Sequence, residues 1–584
     1  MDIESSPKAI LRDASGGHWL CYTNPQHIIT ARRIEEVLPA LDSIERIAND
    51  EGLTAVGFLA YEAAPAFDPA LSVRADGEFP LLWFGLFRQP DEFARFPVPA
   101  SSGQSNFIWQ SSVTQDEYRD RVGRIHEYIR SGDTYQVNFS YRMRATVLRD
   151  PLALFAELMV GQETQNAAFV DTGEWAILSA SPELFFRLKG DHIESKPMKG
   201  TAARGLSYQG DCRNAEMLRA SEKERAENLM IVDMVRNDIG RVAETGSVKV
   251  PSLFTIERYP TVWQMTSTVY GRTKAPLVTI FQALFPPASI TGAPKRRAME
   301  IITELESSPR RVYTGAIGWI APDRRAEFSV AIRTMLLNRK DGCAEYGVGS
   351  GIVWDSERDR EWEECSLKAR ILYARMPQFD LLETMTWSPG DGYFLQEYHL
   401  LRLEQSAEYF GFKINVSRIR NQLNRVASGL PALSHRVRLL LSRAGSVEVK
   451  ANPLIPAQSK FGDITIAKTP VDSSDVFLYH KTTNRKTYEE VLKTSPSLDD
   501  VILFNEKGEV TETTIANIAV EIDGKMYTPP VSCGLLAGTY RAWLIEQKKV
   551  WEKTVSLDEL RWSAHVYLMN SVRGIRKVKL ITSQ

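Results

Sequence analysis

The chain opens in short apolar runs of the kind that fill strands. GFLAYE (57–62) and PLLWFGLF (80–87) read as buried strands, and the Ser- and Gln-rich stretch 98–113 as a surface loop. At Thr114 the period changes: Tyr118, Val122, Ile125 and Ile129 recur at helical spacing in TQDEYRDRVGRIHEYIRSGD, which ends in Gly-Asp. Strand patterns return in AILSASPELFFRL (176–188) and HIESKPMKG (192–200). A strong helix is predicted through SEKERAENLMIVDMVRNDIGR (221–241), begun by a Ser221/Glu224 capping box and stopped at Gly240. Helix and strand then alternate up to a last helix, ERDREWEECSLKARILYARM (357–376). A new strand pattern, FDLLETMTW, begins at Phe379, so Pro377–Gln378 is the predicted boundary, and the remainder mixes strands and helices in another α+β unit. The chain carries no internal repeat and no low-complexity tract.

At 584 residues the chain is too long for one hydrophobic core, which predicts two to four domains. The 71 basic and 73 acidic residues leave a net charge of −2, so nothing draws the whole chain to nucleic acid or anionic membrane. No apolar run is long enough to span a bilayer, and MDIESSPKAILRD lacks the apolar core of a signal peptide. The expected location is the cytoplasm. Cys21, Cys212, Cys343, Cys365 and Cys533 form no CxxC pair and no disulfide framework, and none sits in a GxCxG nucleophile setting.

Two helices each carry glutamates three apart, Glu224 with Glu227 and Glu361 with Glu364. That spacing puts both carboxylates of a pair on one helix face, and facing pairs would suit a hard divalent cation such as Mg²⁺. The same spacing is common on solvated helices. Lys199 in KPMKGT lies between a strand and a glycine turn, where a shielded lysine can act as base or nucleophile. Glu183 in SASPELFF lies at a strand end. Glycine clusters in SITGAPK (289–295) and YGVGSGIV (346–353) expose N–H groups to anions. Arg333, on an apparent strand in FSVAIRT, could clamp a carboxylate. Taken singly, each of these is equally a structural turn or a surface charge.

IRSGDTYQVNFS (129–140), SASPELFF, KPMKGTAARG, the 221–241 helix, FPPASITGAPKRRAMEIITELE, RRVYTGAIGWI, FSVAIRT and VGSGIVWDSERDREWEECSLKA occur in one order. Together they resemble the chorismate-utilising enzymes: the anthranilate, aminodeoxychorismate, isochorismate and salicylate synthases. The resemblance covers roughly residues 50–375. It implies an αββα sandwich and a Mg²⁺ ion held by Glu227 and Glu364, with Glu224 and Glu361 beside them. It also implies an enolpyruvyl carboxylate on Arg333, Tyr313 and the amides around Gly349 and Gly351, with Thr291 and Gly292 along the substrate. Anthranilate synthases carry alanine where this chain carries Lys199, whereas aminodeoxychorismate synthases carry lysine. In that branch Lys199 attacks the ring while Glu183 protonates the departing hydroxyl, and ammonia then expels Lys199. Gln264 stands where many relatives have a histidine tied to pyruvate expulsion.

After the boundary, FDLLETMTWSPGDGYFLQEYHLLRLEQSAEYFGF, FLYHKTTNRKTYEEVL, ILFNEKGEVTETTIANIAV and TPPVSCGLLAGTYRAWL resemble the fold-type-IV pyridoxal 5'-phosphate enzymes. These include branched-chain and D-amino-acid aminotransferases and aminodeoxychorismate lyase. The resemblance makes Lys481 the Schiff-base lysine, Glu512 the pyridine-nitrogen partner and Arg402 a phosphate ligand. Thr539, Tyr540 and Ser571 would reach the phosphate, and Asn517 would support the site. The HKTTNR setting favours the lyase.

The expected fold class is thus α+β: a chorismate-binding αββα sandwich over residues 1–376, followed by a fold-type-IV PLP-dependent α+β domain over 379–584. The resemblances imply a bifunctional enzyme making 4-aminobenzoate for folate from chorismate, Mg²⁺ and pyridoxal phosphate. A separate glutamine amidotransferase subunit would supply ammonia, and the C-terminal domain would pair in a homodimer. The alternatives are an anthranilate or isochorismate synthase carrying an unrelated aminotransferase, and a degenerate domain that only binds a partner.

Overall fold

The structure, a computed structural model, describes residues 7–13, 17–97, 107–159, 164–372, 377–454, 463–494 and 498–581. Of the expected surface loop, residues 98–106 lie outside the described residues, as do the last four positions of the expected helix 357–376. The chain divides into two compact units. One holds residues 1–203 and 215–376, the other residues 204–214 and 377–584. The sequence signals the break after residue 376; nothing in its patterning signals the departure of Arg204–Asn214.

The first unit holds two ten-stranded sheets. One is centred on Gln136–Thr146, Cys343–Ile352, Thr334–Asn338 and Trp175–Ser181, and the other on Val262–Arg272, His192–Lys196, Leu184–Lys189 and Arg325–Val330. Strand residues alternate between two cores. In Thr54–Leu59, Ala55 and Leu59 face the helices, whereas Val56 and Phe58 face the other sheet, together with Ala168, Val170, Ile177 and Leu336 from it. Helices Ile34–Glu51, Glu222–Gly240 and Leu277–Leu284 cover one sheet. Gln115–Arg130, Pro151–Met159, Lys295–Leu305 and Arg358–Ala369 cover the other. The result is the expected αββα sandwich. Strands buried on both faces read as unbroken apolar runs, which explains why GFLAYE and PLLWFGLF show no alternation.

Helix Gln115–Arg130 starts on Thr114 with a complete capping box to Glu117. Helix Glu222–Gly240 has only half of one. Ser221 Oγ accepts from Glu224 N at 3.3 Å, but Ser221 N donates to Leu218 O, and the Glu224 side chain turns away. The two long strand patterns are each interrupted at a proline, which has no N–H to give a ladder. Residues 176–188 form two strands, Trp175–Ser181 and Leu184–Lys189, and these lie in different sheets. Residues 192–200 break at Pro197 within one sheet. FSVAIRT is likewise no single strand: Arg325–Val330 and Thr334–Asn338 belong to different sheets, and Arg333 lies between them with φ 49°.

The second unit contains a four-stranded sheet, Gly392–Tyr393, Leu381–Ser388, His435–Leu441 and Val447–Pro453. Helices Gln396–Phe410 and Val416–Ser428 share its apolar core. An eight-stranded sheet closes on itself where Val510–Thr513 pairs with Asn517–Ile522, through Glu512 and Asn517. Ile464, Ile502, Val510, Ile518 and Leu568 belong to one core cluster.

Phe58, fully buried between the two sheets and 5.1 Å from the Phe79 ring, gives a direct test of this packing. Phe58→Ala should destabilise the first unit by about 3–5 kcal/mol, read as a lowered urea midpoint. An unchanged midpoint would exclude the inter-sheet core.

Candidate active sites

The breaks in the strand patterns place the first site. Where the chain passes between sheets at Pro182–Glu183 and at Ile332–Arg333, those residues line an open cleft. Lys199, Tyr313, Gly349, Gly351 and all four glutamates Glu224, Glu227, Glu361 and Glu364 line it too.

Glu183 is buried and accepts a hydrogen bond from Ser289 Oγ at 2.6 Å. Burial raises its carboxyl to about 7, against the opposing pull of Ser289, the Met198 amide and Lys199. It can therefore carry a proton near neutrality. Lys199 Nζ lies 3.3 Å from Glu227. Asn228 donates to Lys199 O at 3.0 Å and to Met265 O, and accepts from Ser267. Gln264 donates to Gly200 O at 2.9 Å and accepts from Thr201. Its amide is spent on shaping the turn after Lys199.

Burial and then the charge of Glu227 push Glu224 up. Burial works to raise Glu364, but Lys368, 2.7 Å away, together with Lys199 and Lys223 holds it down. Lys368 also donates to Gly349 O. Among the described residues, no three acidic, histidine or cysteine groups converge as a ready metal cage. The donor chemistry still fits a hard cation, because four carboxylates share one cleft and Glu224 carries the cost of crowding.

Among the described residues Arg333 has no carboxylate partner; its guanidinium lies 5.8 Å from the Tyr259 ring centre, and burial lowers its pKa. A half-buried cation without a carboxylate partner, in a cleft, is suited to an anion. Tyr313 OH lies 3.3 Å from Ser140 Oγ, with Arg142 over its ring. A Cβ at Gly347 would stand 2.3 Å from that ring, so only glycine leaves Tyr313 its place. Thr291 and Gly292 do not line the cleft. Thr291 is fully buried with its hydroxyl turned to the Pro287 and Ala288 carbonyls, and the neighbouring Ser289 and Ile290 line the cleft instead.

Lys223, Lys368, Asn138 and Ser289 are cleft residues that sequence reasoning missed. Gln136 is another missed neighbour, fully buried, with neither carboxamide atom hydrogen-bonded among the described residues. One point beside Gly351 lies 2.5 Å from Lys199 Nζ and 3.0 Å from Gln136 Nε2.

In the second unit, Lys481 is surrounded by charge. Burial, then Arg402 and Arg485, lower its amine to about 8, against the opposing Glu383 and Glu512. Such an amine is partly neutral near pH 7. Glu512 accepts from Tyr488 OH at 2.7 Å, Asn517 Nδ2 at 3.0 Å and Leu536 N at 3.2 Å, and burial raises it to about 7. A Cβ at Gly538 would lie 1.8 Å from Asn517 Oδ1, so glycine lets that turn close on Asn517.

Arg402 gives two hydrogen bonds to Glu383 and one to Ala537 O at 3.1 Å. Glu383 also meets His399 Nδ1 at 2.6 Å, and His399 Nε2 lies 3.3 Å from Thr539 Oγ1. This chain of contacts fixes the start of helix Thr539–Glu546, whose first amides suit an anion. Glu383 and His399 carry no signal of their own in the sequence, although both stand within the motif at 379–412. The Tyr540 ring stacks on Trp543, and the Ser571 hydroxyl donates to Thr384 O.

Two families match the chain: the chorismate binding enzyme family over residues 6–374, and the amino-transferase class IV family over residues 380–581. Aminodeoxychorismate synthase component 1 of Salmonella typhimurium strain LT2 is 43% identical over 268 residues, 45% of this chain and 59% of that protein. Anthranilate synthase component 1 of Aquifex aeolicus strain VF5 is 39% identical over 266 residues, 45% of this chain and 53% of that protein. The chain thus spans just over half the length of these curated relatives. Anthranilate synthase component I from Streptococcus pneumoniae TIGR4 superposes with a TM-score of 0.53 at 26% identity, over 63% of this chain and 93% of that one. No described helix is long and apolar enough to cross a membrane. With the match over 6–374 covering more than half its length, the chain belongs to the chorismate binding enzyme family and carries an amino-transferase class IV domain behind it.

Proposed function

We propose that the first domain aminates chorismate to 4-amino-4-deoxychorismate, and that the second eliminates pyruvate from this product to leave 4-aminobenzoate. The observation that carries the reading is Glu183, a carboxyl able to hold a proton near neutrality in the same cleft as Lys199. A lysine and an acid are what a displacement of a ring hydroxyl needs. Lys199 Nζ bonds to the ring, the C–O bond breaks, and the hydroxyl leaves as water with the Glu183 proton. Ammonia then bonds to the ring and expels the Lys199 amine, and the proton shed by the new ammonium restores Glu183, so that chorismate and ammonia become aminodeoxychorismate and water. Arg333 would take the enolpyruvyl carboxylate. Mg²⁺, held by Glu227 and Glu364 with Glu224 and Glu361 beside them, would neutralise the ring carboxylate. Relatives named aminodeoxychorismate synthase and anthranilate synthase match at similar identity, so the choice of branch rests on Lys199.

In the second domain the residues fit pyridoxal phosphate: a half-buried, partly neutral amine at Lys481, an acid at Glu512 for the ring nitrogen, and helix amides at Thr539 and Tyr540 for the phosphate. Bound there, the cofactor supplies an electron-withdrawing ring that stabilises negative charge on substrate carbon. Arg402 would orient the phosphate turn, and the Lys481 amine would carry the proton between positions as pyruvate leaves. With no GxCxG nucleophile in the chain, ammonia would come from a separate glutamine amidotransferase, consistent with relatives named component 1. Free ammonium should substitute for it.

Three outcomes test the reading. Because Glu183 donates only when protonated, amination at saturating ammonia should fall as pH rises through about 7. Glu183→Gln should abolish that limb and cost roughly 10²–10⁴-fold in rate; a flat wild-type profile from pH 6 to 8.5 would remove the acid. Lys199→Ala should slow amination by roughly a hundredfold or more, the scale of a lost positioned group, measured by chromatography of chorismate products. Wild-type rates in that variant would sink the nucleophile. Lys481→Ala should let aminodeoxychorismate accumulate with no 4-aminobenzoate; continued 4-aminobenzoate formation would contradict the second assignment.

A further inference from the structure

Eleven residues, Arg204–Asn214, belong to the second unit although they interrupt the first. They form a clasped turn. Arg204 gives Nε and Nη2 to Asp211 at 2.7 and 2.6 Å, and the same Asp211 accepts the Gly205 amide at 2.9 Å. A Cβ on Gly205 would lie 2.2 Å from Asp211 N, so the turn closes only on glycine. Arg204 also donates to Tyr409 O at 2.9 Å, with its guanidinium 4.3 Å from the Tyr409 ring centre, and Tyr208 OH donates to Glu408 at 2.7 Å.

What this turn presents is the carbonyl of Leu206, 3.2 Å from His480 Nε2. A carbonyl only accepts, so the ring proton sits on Nε2. Nδ1, 3.0 Å from Ser406 Oγ, then accepts that hydroxyl. Burial drives His480 down to about 3, so the ring stays neutral in this tautomer. Tyr409 and Phe410 lie 4.3 and 4.8 Å from it, centre to centre. His480 is thus fixed at both nitrogens and against two rings. The next residue is Lys481, whose own carbonyl accepts from Leu382 N at 3.0 Å.

We propose that the Arg204–Asp211 turn is a positioning element for Lys481, acting through the Leu206 carbonyl and the His480 ring. It rests on the reading of Lys481 as the cofactor lysine. The segment opens five residues after Lys199, at the end of strand Met198–Ala203, so part of the second site's support is encoded inside the first domain's sequence. With the turn intact, the backbone at 480–481 is held from two sides, by Leu206 through the His480 ring and by Leu382. Without it, His480 loses the acceptor for its only ring proton, and Lys481 is free to move toward water.

The test uses the full chain, freed of cofactor, and competitive acetylation of individual lysines across pH, read by peptide mass spectrometry. Arg204→Ala should move the Lys481 midpoint up by about one pH unit, which is about tenfold less labelling near pH 7. Surface lysines should keep their midpoints, and chorismate amination should stay within twofold. A Lys481 midpoint equal to wild type overturns the proposal. Should Arg204→Ala not fold, Asp211→Asn, which keeps the size and loses the charge of the clasp, decides by the same shift. Separately, borohydride reduction of the wild-type chain loaded with pyridoxal phosphate should mark Lys481. A mark on another lysine refutes the cofactor reading, while the acetylation result still judges the turn.

Discussion

Two neighbouring strand pairs cross from one sheet to the other side by side, and the hydrogen bonds across that crossing hold the first cleft open in its shape. Ala180 N donates to Arg333 O at 3.0 Å, Ser181 Oγ to Val330 O at 2.6 Å, and Val330 N to Glu183 O at 3.1 Å. On one side of these bonds Trp175–Ser181 pairs with Thr334–Asn338, and on the other Leu184–Lys189 pairs with Arg325–Val330. A chain switching sheets cannot keep its ladder through the switch, so the backbone opens at Pro182 and turns left-handed at Arg333. Those two openings are where side chains can leave the packed interior. Glu183 and Arg333 occupy them, so this acid and this cation are fixed relative to each other by the fold itself.

Much of the architecture was legible because helical periodicity survives burial on one face. Thr114 with Glu117, and the run Tyr118, Val122, Ile125, mark a helix without ambiguity. The strands were harder. Doubly buried strands give no alternation, and an apolar run crossing a proline looks continuous until the partner strands are known. The run 176–188 and FSVAIRT therefore each read as one strand where the chain makes two. The half-formed cap at Ser221 has a similar origin: the pattern gives Glu224 to the helix start, whereas the fold turns it to the cleft, beside Glu227.

Site residues divide along the same line. Lys199 and Glu183 gave only a faint local signal, a charge beside a turn or a strand end, and Lys481 and Glu512 were picked out by the order of the motifs around them. Gln136 and Asn228 gave none, since a neutral amide has no pattern of its own, and Gln264 was conspicuous only for the histidine it replaces. Thr291 and Gly292 were expected along the substrate, yet the buried hydroxyl of Thr291 serves its own turn, and Ser289, two positions earlier, reaches Glu183. Glu383 and His399 escaped because their task is relational: they hold Arg402 and Thr539 in place, and only spatial proximity reveals such a duty.

The division of the chain has a consequence for how the protein is made. A ribosome releases Arg204–Asn214 long before residues 377–584 exist, so the turn that supports His480 must wait, without its partners, through the synthesis of residues 215–376. The first unit can complete itself around that gap, because its two segments, 1–203 and 215–376, are finished by then. The second unit is always last, and it assembles onto a piece already delivered. Order of birth thus links the two domains even where their chemistry is separate: a second unit synthesised alone, from residue 377 onward, would start life lacking one of its own parts.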